Sequence, residues 1–344
     1  MRILVLEHLS LSPLEPGQGS LADEGFAMLA AVARDLASEP DVSVTAAVHS
    51  RLATSTPDAV STLIVDKMTE AEIAAHAARF DRSLLVAPEI DGIAAAWSQR
   101  LESASASLLS PPSSVIRWAS DKLAVAQTLR LMSPQTQLLD EESAPTEWGD
   151  ELLVKPRFGA GSLFTARCNR NSILQLVQFI RGQGFEGDLL TQPMIDDHAV
   201  SAAVVARVDR PPVFLPPAEQ RIIRVAEPSL PGVHWLKYAG GRLPIFDYQS
   251  RTAPLLQAVV DSLPRFNGWI GVDMILGPSA DVIVDVNPRL TTSYLGYSRL
   301  FPGIAARLVL NRETDQDLAD LQVLRSIHVA FDTEGRVNPL TTDH

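Results

Sequence analysis

The chain has 344 residues, enough for two or three packed units with their own cores. Its formal net charge is −12 and no basic run stands out, which argues against a nucleic-acid partner and means that any phosphate must be met by local Lys, Arg and backbone N–H groups. A single cysteine, Cys168, excludes an internal disulfide and a cysteine zinc cluster, and packing is the role we assign it. No apolar run approaches membrane-spanning length, and the N-terminus enters a strand pattern without a signal region; the expectation is a cytoplasmic protein with no membrane partner.

Residues 2–6 read as a buried strand, and residues 10–20, rich in Pro, Gly and Ser, as a loop. Phe26, Leu29, Ala30, Val32, Ala33 and Leu36 fall at helical spacing. Residues 42–48 and 61–65 are strand patterns. Thr69-Glu-Ala-Glu72 has the form of a capping box and opens a helix that runs to about residue 80. Residues 83–87 make a fourth strand, followed by Pro88 and Glu89. This alternation predicts a parallel sheet with helices on its faces. Ligands of such sheets sit beyond the carboxyl ends of the strands, which places Glu7, the 10–20 loop and Glu89 near a substrate. By position alone, Glu89 is better read as an exposed loop acid.

Ser110-Pro-Pro-Ser-Ser114 is a composition break and marks the first domain boundary. A helical pattern opens at Ser120-Asp-Lys122 and continues through Leu123, Val125, Ala126, Leu129 and Met132, with Ser120 or Asp121 as its cap. Lys122 in the first turn opposes the helix dipole, which hints at a bound anion; a solvated lysine explains it as well. Residues 151–156 form a strand whose inward Lys155 interrupts an apolar run. Gly159, Gly161 and Ser162 then make a flexible loop whose N–H groups can cover phosphates. It is neither a Walker A loop nor a dinucleotide fingerprint. Residues 172–180 read as a helix, 188–195 and 198–208 as strands, and 219–224 as a strand carrying Arg221 and Arg224. Residues 238–242 read as a tight turn, 252–263 as a helix, and 302–310 as the last helix. Residues 326–331 suggest a final strand, and the tail beyond Glu334 looks poorly ordered.

Residues 281–286 alternate polar and apolar side chains as a strand does, so Asp285 and Asn287 leave the same face. Pro288 ends the pairing, and Arg289 follows at the mouth. A second run ends in Gly271-Val-Asp273-Met-Ile-Leu276; a turn near Gly277 would fold the two runs into a hairpin and set Asp273 beside Asp285 and Asn287. Oxygen ligands with a cation just beyond suit magnesium bound to phosphate. A hairpin with solvated acids at its rim accounts for the Asp285/Asn287 pair equally well.

Taken in order, Ser-Asp-Lys122, Val-Lys155-Pro with its glycine loop, the strand holding Gln192, Gly-Val-Asp273 and Asp285-Val-Asn287-Pro-Arg289 resemble the ATP-grasp superfamily of carboxylate–amine ligases. The resemblance covers nearly the whole chain. It implies an α/β ATP-grasp fold with an N-terminal parallel-sheet, Rossmann-like pre-ATP-grasp domain over residues 1–110. A small subdomain with the glycine loop would follow over 111–190, then a large subdomain with the metal site and C-terminal tail over 191–344. Glu24-Gly-Phe-Ala-Met-Leu29 and Asn287-Pro-Arg-Leu-Thr-Thr-Ser293 are similar, more narrowly, to the tyramine–glutamate ligase group associated with methanofuran and tetrahydromethanopterin.

The resemblance further implies roles. Lys122 and Lys155 would hold the phosphates of ATP, and the loop with Gly159, Gly161 and Ser162 would close over them. Gln192, Pro193 and Met194 would form the hinge beside adenine, and Asp197 or His198 stands near the usual ribose-binding acid. Asp273, Asp285 and Asn287 would bind one or two Mg²⁺, with Mn²⁺ as a substitute; the family usually has Glu where this chain has Asp285. Arg289 would face the transferring phosphoryl group. Arg221 is a candidate for the substrate carboxylate, although a surface salt bridge explains it more simply. The implied reaction joins a carboxylate, with glutamate as candidate, to an amine through an acyl phosphate, releasing ADP and phosphate. A kinase on the same scaffold and a non-catalytic nucleotide-binding regulator are the alternatives. Many relatives are homodimers.

Overall fold

The computed structural model describes residues 1–13, 19–139, 146–323 and 327–340. The N-terminal part follows the expected alternation: β1 (Arg2–Glu7), α1 (Gly19–Ala37), β2 (Ser43–Val48), β3 (Ser61–Ile64), α2 (Glu70–Ala77), β4 (Arg82–Val86) and α3 (Ile93–Ser103). The four strands are parallel in the order β3-β2-β1-β4. Ile3 and Val5 pack with α1 on one face, and Leu4 and Leu6 pack with α2 and α3 on the other. The alternation of period two therefore fills two separate cores. Helix α2 starts where the capping box requires it: the Glu72 amide donates to Thr69 Oγ1 at 3.3 Å, and the Thr69 amide donates to Glu72 Oε2 at 2.7 Å. The 10–20 loop is shorter than expected. A 3₁₀ turn occupies His8–Leu11, α1 already includes Gly19 and Ser20, and residues 14–18 lie outside the described residues.

Two short helices, α4 (Ser113–Ser120) and α5 (Lys122–Thr128), come next. Asp121 separates them and caps α5, accepting from the amides of Leu123 at 3.1 Å and Ala124 at 3.2 Å. The remaining strands form one antiparallel sheet: β5 (Gln137–Leu138), β6 (Glu151–Pro156), β7 (Ala166–Asn169), β8 (Leu189–Pro193), β9 (His198–Ala206), β10 (Val213–Phe214), β11 (Ala218–Ala226), β12 (Val233–Leu243), β13 (Gly268–Leu276), β14 (Asp281–Asn287), β15 (His328–Phe331) and β16 (Val337–Leu340). Its main path runs β14-β13-β9-β11-β12-β7-β6-β8-β5. Although β14 and β6 stand far apart on that path, Lys155 Nζ of β6 donates to the Val284 carbonyl of β14 at 2.9 Å. The sheet therefore curls until its two limbs face one another across a cleft. The fold is α/β: a four-stranded parallel sheet beside an antiparallel half-barrel.

Five helices complete the chain: α6 (Ile173–Gly182), α7 (Gln249–Asp261), α8 (Ser293–Leu300), α9 (Ile304–Leu310) and α10 (Asp315–Val323). Helix α8, which the sequence reading did not identify, wedges between the two sheets. Its fully buried Tyr294 and Tyr297 meet Trp269 edge-on, with ring centroids 5.5 and 5.8 Å away. Both hydroxyls are satisfied, Tyr294 by Asp35 of α1 at 2.8 Å and Tyr297 by the Pro216 carbonyl at 2.7 Å. The polar stretch after residue 310 also contains a helix, α10. The tail is ordered further than expected, since β16 pairs with β15; residues 341–344 lie outside the described residues.

The tight turn expected at 238–242 is absent, and β12 runs straight through it. Gly240, at φ +101°, lies against the backbone of Phe331 and Asp332, and Gly241 lies against the carbonyl of Glu219. The glycine pair thus serves the close approach of neighbouring strands, not a chain reversal. Gly240→Ala would force a side chain into the Phe331 carbonyl at a positive φ, and should destabilise the fold by about 2 kcal/mol or more in urea denaturation. An unchanged midpoint would contradict this packing.

Candidate active site

The cleft is walled by α1, β6 and the loop after it, β8, β13, β14 and the segment beyond Asn287. Its floor is the β13–β14 hairpin. The register pairs Asp273 directly with Asp285 and Gly271 with Asn287, so the two acids share one face. Asn287 Nδ2 donates to Asp273 Oδ2 at 3.0 Å, and Gln220 Nε2 donates to Asp273 Oδ1 at 2.9 Å. Burial, and then the charge of Asp285, push the Asp273 carboxyl up to about 7.

Two ammonium groups face this floor. Lys122 Nζ donates to both oxygens of Asp285, at 2.8 and 2.7 Å, and its side chain is only 9 % exposed. It is not a solvated lysine. The α5 cap fixes its place: Arg157 grips Asp121 through Nε at 2.9 Å and a terminal nitrogen at 2.7 Å, tying the start of α5 to the start of the glycine loop. Lys155 is buried, as its position in an apolar strand implied. Burial lowers its ammonium to about 8, even though Asp285 nearby favours the charge.

The glycine loop joins β6 to β7. Gly161 and Ser162 have φ of +65° and +60°, and Gly161 sits against Leu21 of α1, so the loop tip reaches across the cleft to the N-terminal part. On β8, Gln192 is buried. Its Nε2 donates to Thr136 Oγ1 at 2.6 Å, whereas its Oε1 and the neighbouring Thr191 Oγ1 have no partner among the described residues. Pro193 and Met194 line the same wall.

Arg289 is gripped by Glu89 through Nε at 2.9 Å and a terminal nitrogen at 3.2 Å. Glu89 is 2 % exposed, so it is not the exposed loop acid its position suggested. The pair joins the two sheets across 200 residues of sequence.

Two expected site residues lie elsewhere. Asp197 is exposed at the β8–β9 turn, beside the Gly277 turn, and does not line the cleft. Arg221 is exposed and donates to the Ala239 carbonyl at 2.9 Å. Its neighbours Gln220 and Ile222 take the cleft face, which turns Arg221 outward. The sequence reading also passed over Gln220, Tyr238 and Thr292. Nothing in their local patterns marks them, because their partners come from other elements.

A family described as ATP-grasp domain matches residues 119–293, and one described as pre ATP-grasp 3 domain matches residues 42–116. Among solved structures, the chain is similar to a protein from Archaeoglobus fulgidus assigned to the ATP-grasp superfamily, with a TM-score of 0.68 and 18% identity over 100% of both chains. It is similar to a D-alanine–D-alanine ligase from Bacillus anthracis, with a TM-score of 0.61 and 14% identity over 94% of this chain and 99% of that one. An L-amino acid ligase from Bacillus licheniformis gives a TM-score of 0.64 and 11% identity, over 96% of this chain and 78% of the other. At these identities the likeness concerns the fold alone. No curated protein matches the sequence. With a family match that runs over more than half of its length, this chain belongs to the ATP-grasp family.

Proposed function

We propose that the chain is an ATP-dependent ligase that joins a carboxylate to an amine through an acyl phosphate and releases ADP and phosphate. The observation that carries this reading is the convergence of Asp273, Asp285 and Asn287 with Lys122 and Lys155 in one cleft. Phosphoryl transfer needs little covalent help from a protein. It needs positioning, and positive charge where the phosphoryl oxygens lie. Lys122, Lys155 and Arg289 supply fixed charge, and the glycine loop supplies backbone N–H groups and cover against water, which would hydrolyse an acyl phosphate. The unpartnered Gln192 Oε1 is a ready acceptor for the amino group of a base, and Pro193 and Met194 are the wall against which that base would lie.

The donor set fits Mg²⁺, or Mn²⁺ in its place. Among the described residues no cluster of three His, Cys, Asp or Glu side chains could hold a metal. Two carboxylates and an amide are what magnesium uses when phosphate and water complete its shell. Burial and the neighbouring charge of Asp285 push the Asp273 carboxyl up to about 7, a conflict that a divalent ion would relieve. Bound there, the ion would neutralise developing phosphoryl charge. The narrower likeness of residues 24–29 and 287–293 favours glutamate as the carboxylate and a place in assembling a methanofuran-like one-carbon cofactor.

Incubation with ATP, Mg²⁺ and glutamate, with and without amines, tests the reading. Phosphate release that depends on the amine, with a new amide, is expected; ADP with a stable phosphorylated product would contradict it. Lys155→Ala and Asp285→Asn should each lower ADP formation by about 10²–10³-fold, by analogy with lost oxyanion-hole donors, while circular dichroism stays native. Turnover at the wild-type rate in either variant would remove the assigned roles.

Asp273 also predicts a pH dependence. Its folded carboxyl titrates at about 7 and its unfolded one near the ordinary value of 3.8, so the folded state binds the extra proton between these limits. Its contribution is therefore fully present below the lower value and is lost as pH rises through the upper one. Without divalent ions, Asp273→Asn should be more stable than wild type at pH 8, by on the order of a few kcal/mol, and nearly equal to it at pH 4. Equal urea midpoints at pH 8 would contradict the burial argument.

A further inference from the structure

The proposed reaction leaves one chemical demand unmet. An amine in neutral water is an ammonium ion, with no lone pair to attack an acyl carbon. The cleft must therefore hold a cation and then remove its proton. The phosphate end is unsuited to this, because its acids face Lys122 and Lys155 or surround the metal position.

On the far side of Arg289 the cleft is lined by two acids, Glu7 and Glu24, and a third, Glu89, stands behind Arg289 itself. Two of the acids are occupied. Glu7 accepts from the Leu9 amide at 3.0 Å, the Ser10 amide at 2.8 Å and Ser10 Oγ at 2.6 Å. Glu89 is held in the fork of Arg289. Glu24, in the second turn of α1, differs. Its Oε1 accepts from Thr292 Oγ1, and Tyr238 lies beside this pair in the cleft wall. No described residue donates to its Oε2. The neighbouring Gly25 lets α1 come close enough for this, since a Cβ there would lie 2.6 Å from Glu7 Cδ and Oε1. Glu24, Thr292 and Tyr238 all line the cleft, as does Arg289.

We infer that Glu24 receives the ammonium group of the amine substrate on its open oxygen and accepts its proton, with Thr292 holding the carboxylate in place. The inference rests on the ligase reading above. One proton passes from the ammonium nitrogen to Glu24. The freed lone pair forms the C–N bond as the acyl C–O bond breaks, and phosphate leaves with that electron pair. The second proton of the new amide nitrogen passes to phosphate, and Glu24 returns its proton to water. A neutral primary amine and an acyl phosphate thus become an amide and hydrogen phosphate. Burial raises the Glu24 carboxyl, against the Thr292 bond and Arg289, which brings its basicity closer to what proton transfer from an amine needs. The groups facing it are Arg289, Glu89, Thr292, Tyr238 and, behind Gly25, Glu7.

Hydroxylamine tests this, because it is uncharged at neutral pH and attacks an acyl phosphate without help from a base. With wild type, ATP, Mg²⁺ and glutamate, both the hydroxamate and, with a primary amine, the amide are expected. Glu24→Gln should lower amide formation by ~10²-fold while hydroxamate falls by no more than a few-fold. The loss should shrink as pH rises and free amine accumulates, and Glu24→Asp should recover part of the rate. Equal losses of both products would mean a structural role and would overturn the inference, as would wild-type amide formation in Glu24→Gln; the ligase reading survives either result. Failure of wild type to give hydroxamate with any carboxylate in a broad panel would remove both.

Discussion

Two ammonium groups, one buried and one nearly so, meet two half-buried carboxylates in this cleft. Lys122 and Lys155 come from separate early elements, while Asp273 and Asp285 face one another on a hairpin more than a hundred residues later. None of these charges is stable alone in a dry interior. Lys122 closes on Asp285, Lys155 finds a carbonyl, and Asp273, whose carboxyl burial pushes up, accepts from the amides of Asn287 and Gln220. That compensation is incomplete: it leaves a carboxyl and an ammonium both displaced from their ordinary titration ranges, as expected of a site built to receive further charge.

The rest of the architecture serves that meeting. Curling of the antiparallel sheet brings β6 over β14. The Arg157–Asp121 fork aligns Lys122, and the Arg289–Glu89 fork fastens the parallel sheet to the far rim. The glycine loop leans onto α1, so its tip and the N-terminal part meet over the cleft. Glu89 holds Arg289 through both Nε and a terminal nitrogen, so the guanidinium is fixed at the rim of the cleft.

Local chemistry made much of this legible. The alternation of the first four strands, the Thr69–Glu72 capping box, and the parity that puts Asp285 and Asn287 on one face are all properties of a few neighbouring residues. The misreadings share a cause. Gly240-Gly241 has the composition of a turn, and only the approach of Phe331 and Glu219 reveals a continuous strand. Glu89 reads as a loop acid until Arg289 arrives from 200 residues away. Arg221 and Gln220 are adjacent on one strand, and the facing of that strand, which short-range pattern does not fix, decided which of them meets the cleft. Asp197 has a suitable position in the order of motifs but sits on a turn that points away. Helix α8 was missed because residues 294–300, between the Asn287–Ser293 motif and the helix read at 302–310, were assigned no element.

The most direct test is a crystal structure with ADP and Mn²⁺, read by anomalous scattering. The account predicts a manganese peak bound by Asp273, Asp285 and Asn287, with Lys122 released from Asp285 toward the phosphates and Lys155 beside them. A metal bound elsewhere, or a nucleotide in another cavity with the Lys122–Asp285 pair intact, would contradict it.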